Sequence, residues 1–166
     1  MSVIQHKAMD RGLASGRQSN LLSSELTSRA DRERTKSLRI ALGVVGLTFF
    51  IGIYPLVVVW PSGWSWHTGH SHYLQMILGI YATLGIFLLI ASRNPLEHLS
   101  LIWFTVWSSV VHGGIMAAQS LASPEYRGHL LGDVPALLIV AAVLGVLTAR
   151  VKAARSLVAG KNQISE

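Results

Sequence analysis

Two groups of side chains in this sequence have the types and spacing to do chemistry. The first is the run H-x-x-H-x-H in PSGWSWHTGHSHY, residues 61–73, where His67, His70 and His72 have the spacing of an imidazole chelate for Zn²⁺ or Cu²⁺. His129, in ASPEYRGHLLGD (residues 122–133), is a fourth imidazole able to join them, with Glu125 and Asp133 nearby in sequence. The second group is Thr105, Ser109, His112, Met116 and Gln119, whose steps of four, three, four and three place them on one face of a helix. His112 lies in the middle of an apolar segment, where an ionisable residue is a candidate for proton transfer or ligand binding. Its competing role is a structural hydrogen bond, with Ser108 and Ser109 in reach on its own helix. A b-type haem would need two axial imidazoles on facing helices at matched depth. His112 has no second histidine at its level, only Met116 one turn on, whereas His72 and His129 each begin an apolar segment on the same side.

Four apolar segments must position these groups, at about residues 38–60, 73–92, 101–121 and 132–149. Each is near the ~20 residues needed to cross the hydrocarbon of a bilayer. Charges lie mostly before residue 40 and after residue 149, so the segments lack the charged outer face that helices of a soluble bundle present to water. The expected fold is all-α: an integral membrane four-helix bundle over residues 37–149, between a polar, basic segment (1–36) and a basic tail (150–166). The chain has no cysteine, which excludes disulfides and thiolate metal centres. Its net charge of +6 is explained by Lys and Arg flanking the spans, so no nucleic-acid partner is expected. The first thirty residues have no apolar h-region, so no secretory signal is expected.

The segments carry packing features of their own. Pro55 is expected to kink the first, and Thr48 and Gly52 form a small-xxx-small pair there. In the second, Gln75, Gly79 and Ala82 or Thr83 share a side that could meet the polar seam of the third. Gly113 and Gly114, with Ala117 and Ala118, should let a neighbouring backbone come close to the third. Arg93 and the Asn94-Pro95 pair end the second span in a short turn, which implies an antiparallel hairpin. Pro135 suits the first turn of the fourth, with Asp133 as its N-cap. In the N-terminal segment, Gly12 and Gly16 argue against one long helix, and Ser28 with Asp31 resembles a capping pair opening a charged helix.

Topology follows from charge. Thirteen of the fourteen Lys and Arg fall on one side of the four spans and only Arg127 on the other, so both termini are expected in the cytoplasm. The loops carrying His67, His70, His72 and His129 then face outward.

Taken together, YPLVVVWPSGWSW, QMILGIYATLGIFLLIASRNP, LIWFTVWSSVVHGGIM and GHLLGDVPALLIVAAV resemble a family of small bacterial four-span membrane proteins known only as a domain of unknown function. The resemblance covers about residues 50–147. It implies a four-helix protein of the bacterial inner membrane and no activity, so it carries over no site residues.

The sequence has no Walker loop, nucleophile elbow or paired intramembrane carboxylates, so an enzyme is not the favoured expectation. The favoured function is an accessory or structural subunit of a larger membrane complex or a homo-oligomer. The alternatives are a haem- or Zn/Cu-binding redox protein and a small transporter. Inverted repeats, common in transporters, are not evident between the two halves of the chain.

Overall fold

A computed structural model describes residues 2–65 and 72–164. It is helical, with no strand among the described residues. Residues 1–34 and 35–166 are two separate units.

Helix α1 (Ser2–Leu47) passes into a π-helical turn (Thr48–Gly52) and then α2 (Ile53–Val59), and this series contains the first span. Short α3 (Pro61–Trp64) follows. The remaining spans are α4 (His72–Ala91), α5 (Leu99–Ala122) and α6 (Asp133–Ile164), with 3₁₀ turns at Pro95–Glu97 and Pro124–Leu130. Four helical stretches are thus long and apolar enough to cross a membrane.

Two expectations for the flanks are corrected. Gly12 and Gly16 lie inside α1. A glycine costs only about 1 kcal/mol against alanine within a helix, too little to break one otherwise built of helix formers. Ser28 is likewise interior, its hydroxyl donating to the Glu25 carbonyl (2.8 Å) instead of capping a helix start. At the other end, α6 continues through the basic tail to Ile164, because no Gly or Pro lies between Gly145 and Gly160 and its side chains at Val151 and Ala154 are buried.

Pro55 has its effect one turn earlier than its own position. It cannot donate to the carbonyl of Ile51, and its ring would crowd that carbonyl in a regular helix. The helix widens into the π turn that ends at Gly52, and the N–H of Ile53 reaches back to the Thr48 carbonyl. This turn is where α4 packs. A Cβ on Gly85 would stand 2.6 Å from both the Gly46 carbonyl oxygen and the Phe50 nitrogen, so the two backbones touch through glycine. A Cβ on Gly52, by contrast, would meet only Thr48 one turn back in its own helix.

In residues 35–166 the core is densest at one end, where Leu38 and Leu42 of α1 meet Leu88, Ile102 and Leu144, all fully buried. Arg39 closes this end by donating from Nε to the Ser92 carbonyl at the end of α4 (3.0 Å). Against α6, it is Gly113 of α5 that makes the approach, a Cβ there lying 3.4 Å from Leu137. Gly114, the other glycine expected to pack, is exposed, and a Cβ on it would touch nothing within 4 Å. Consecutive helical residues point about 100° apart and cannot both face α6.

The opposite end is closed by the loops. Glycines 128 and 132 lie so near the carbonyls of Ser62 and Gly63 that neither position has room for a Cβ. Helix α3 is thereby seated directly on the 3₁₀ turn before α6.

Candidate functional site

Between the dense core and this closed end, the four spans part around a cavity of about 660 Å³. Its wall is mostly aliphatic and aromatic, with contributions such as Phe49 and Ile53 from the first span, Ile77 from α4, Ile115 from α5 and Leu137 from α6. The polar groups that line it are few: Thr48, Ser108, Gln119, Asp133, His112, the indole of Trp64 and the phenols of Tyr73 and Tyr81. No Lys or Arg lines it among the described residues.

The expected seam on α5 is largely turned inward. Thr105, Ser109 and Met116 are buried and His112 is half-buried, while Gln119 is exposed yet lines the cavity. The hydroxyl of Thr105 donates to the Leu101 carbonyl four residues back (2.9 Å) and that of Ser108 to the Thr105 carbonyl (3.2 Å), so these side chains are satisfied within α5.

Neither Ser108 nor Ser109 is the partner of His112. Its Nδ1 lies 2.9 Å from the hydroxyl of Tyr81 on α4. Tyr81 is braced from behind by Phe49, edge to face at 5.0 Å, so spans one, two and three meet at this tyrosine. The face of α4 expected to meet the seam points elsewhere: Gln75, Gly79 and Thr83 are exposed. Thr83 can face outward because its hydroxyl donates to the Gly79 carbonyl in its own helix (2.9 Å).

A second polar pair closes the loop end. His129 is 1% and Asp133 6% exposed, and the imidazole Nδ1 is 2.9 Å from the carboxylate Oδ2. Asp133 opens α6, where the unpaired N–H groups of the first turn favour an anion. A carboxylate held this way orients the imidazole, the arrangement seen behind many metal-bound histidines.

The expected metal set is only partly described. His67 and His70 lie outside the described residues. His72 is exposed at the start of α4, whereas His129 is turned inward onto Asp133. Among the described residues, no three His, Asp or Glu side chains converge as a metal-binding group. For the haem reading, the group facing His112 is a phenol and not a second imidazole.

No curated protein and no solved structure matches this chain. A family model does, over residues 33–163, from the end of the N-terminal unit through all four spans. The chain therefore belongs to the family of unknown function designated DUF6632.

Proposed function

We propose that the protein is an integral membrane binding protein that takes up a small lipophilic molecule between its four spans. The cavity carries this reading. Its volume of about 660 Å³ is far larger than a packing defect and falls among ligand sites, which are typically ~300–1,000 Å³, mostly apolar and furnished with a few polar groups. Ala136 lines the cavity without being fully buried, so Phe at this position should fill it while leaving the helix contacts in place. With an apolar iodophenyl diazirine in proteoliposomes, photolabelling should concentrate on peptides carrying cavity residues and fall severalfold in Ala136→Phe. Labelling that tracks only the exposed positions Ile80 and Phe104, unchanged in the variant, would mean that the cavity does not bind.

An accessory-subunit role is a second reading, favoured by Gly79 and Gly114, which present backbone on the exposed faces of α4 and α5. Small surfaces of this kind let a partner helix, or a second copy, approach closely. Recovery of a stoichiometric membrane partner in mild detergent tests it.

The charge asymmetry supports placing both termini in the cytoplasm, and the membrane we propose is a bacterial inner membrane. Reporter fusions after Glu166 and near Ser123 should report opposite sides. The same side for both would refute that topology.

A further inference from the structure

We infer that the ligand of this cavity is an uncharged lipid-soluble molecule with a carbonyl or hydroxyl oxygen on its head, seated on Tyr81 and His112, and that the pair holds the quinone and quinol forms of one ring alike. The inference rests on the binding reading above and adds the head group to it.

Counting hydrogens at the pair leads to this ligand. Tyr81 and His112 are joined at 2.9 Å, and neither makes another hydrogen bond among the described residues. If the phenol donates to Nδ1, the proton of the neutral imidazole is on Nε2, which is a donor, and the phenol oxygen keeps a lone pair. If Nδ1–H donates to the phenol oxygen, Nε2 becomes the acceptor and the phenol O–H the donor. In either tautomer the pair has one donor and one acceptor left over. A quinone carbonyl needs the donor and a quinol hydroxyl needs the acceptor. Exchange of tautomers lets the same two side chains serve both, with no net charge moved into lipid.

Charge excludes the other heads. With no Lys or Arg on the wall among the described residues, a carboxylate or phosphate would be buried without a counter-ion, on a wall that Tyr81 and His112 share with the Asp133 carboxylate. Among the described residues Asp133 is the only formal charge on the wall, and its Oδ2 is already engaged by His129, which disfavours a lipophilic cation. The apolar remainder of the wall suits a ring and an alkyl tail.

The test uses the full chain in phosphatidylcholine nanodiscs and four probes sharing one alkyl tail: decylubiquinone, decylubiquinol kept anaerobic, decanoate and decyltrimethylammonium. Calorimetry should give saturable binding of quinone and quinol with affinities within about threefold of each other, and weaker binding of the two ions by at least about tenfold. Tyr81→Phe keeps the ring packed on Phe49 and should separate the two forms. The quinone still finds Nε2–H, whereas the quinol now needs the tautomer that buries Nδ1–H with no acceptor, so quinol binding should fall about tenfold and quinone binding much less. His112→Leu should weaken both. Decanoate or the ammonium binding as tightly as the quinone, or Tyr81→Phe leaving the quinol unaffected, would overturn the head assignment. If in addition Ala136→Phe still abolished binding, the cavity reading would survive that result. Quinone binding that persists in Ala136→Phe, or no saturable binding of any probe, would overturn the cavity reading itself.

Discussion

Alanine at Gly85 is expected to destabilise the protein by about 2–3 kcal/mol, whereas alanine at Gly79 on the same helix leaves it unchanged or slightly more stable. The added methyl is the same, so intrinsic helix propensity favours both substitutions by up to ~1 kcal/mol. What differs is the space. At Gly85 the new Cβ would stand 2.6 Å from the Gly46 oxygen and from the Phe50 nitrogen, and 3.1 Å from the Phe49 carbonyl carbon. All three are backbone atoms, which cannot rotate away as a side chain would. Phe49 and Phe50 also belong to the π turn, whose hydrogen bonds would have to shift for α4 to move out. At Gly79 a Cβ meets nothing within 4 Å. Helix association in lipid depends on close packing with little hydrophobic drive between spans, so lost contacts at Gly85 have no compensating term. Thermal unfolding of both variants in one detergent decides the matter. Equal midpoints would show that α4 does not pack on the first span through Gly85. The cavity lies directly beyond this contact, with Phe49 on its wall, so Gly85→Ala should also reduce ligand uptake.

The four spans were legible because crossing a bilayer requires a long uninterrupted apolar run, and such a run needs no knowledge of its neighbours. The inward face of α5 was legible for a related reason: a polar stripe at helical spacing has few good places in lipid other than against protein. That rule fails for hydroxyl groups able to bond within their own helix. Thr83 satisfies itself on Gly79, so it placed no demand on the orientation of α4, and the outward side of that helix was read as the inward one. Tyr81 went unnoticed because a single tyrosine among Ile, Leu and Ala has no periodic partner to mark it. Its depth in the second span, comparable with that of His112 in the third, is the signal that was there to be used. The pairing of His129 with Asp133 had a cue in its four-residue spacing. The sequence groups them instead with the outer-loop histidines, because nothing local shows that the loop folds back into the bundle. Glycine was the hardest to read: Gly85 carries the contact between spans one and two, while Gly79 and Gly114 carry none, and only the neighbouring helix distinguishes them.

Leucine at His129 is expected to cost about 2–3 kcal/mol, the upper part of the range for removing one partner of a buried hydrogen bond. The imidazole is 1% exposed and contacts Asp133 Oδ2 at 2.9 Å, so its loss removes a hydrogen-bond partner from a buried carboxylate. The damage should be larger than at an ordinary core site because of what rests on this turn. Gly128 and Gly132 flank His129 and hold the backbone of Ser62 and Gly63 in direct contact, so a shift of the 3₁₀ turn carries α3 with it. Trp64 at the end of α3 and Asp133 at the start of α6 both line the cavity, so its closed end would open as well. Two further variants separate charge from packing. Asp133→Asn keeps an acceptor for the imidazole and removes the charge, and it should cost less than His129→Leu. The double variant His129→Leu with Asp133→Leu removes both polar groups and should recover much of the loss, since a buried pair replaced by apolar side chains of similar volume is often close to neutral. Unfolding midpoints of the three variants, measured together with photolabelling of the cavity, give the comparison. A double variant no more stable than His129→Leu alone would show that His129 acts through its shape and not through the carboxylate beside it.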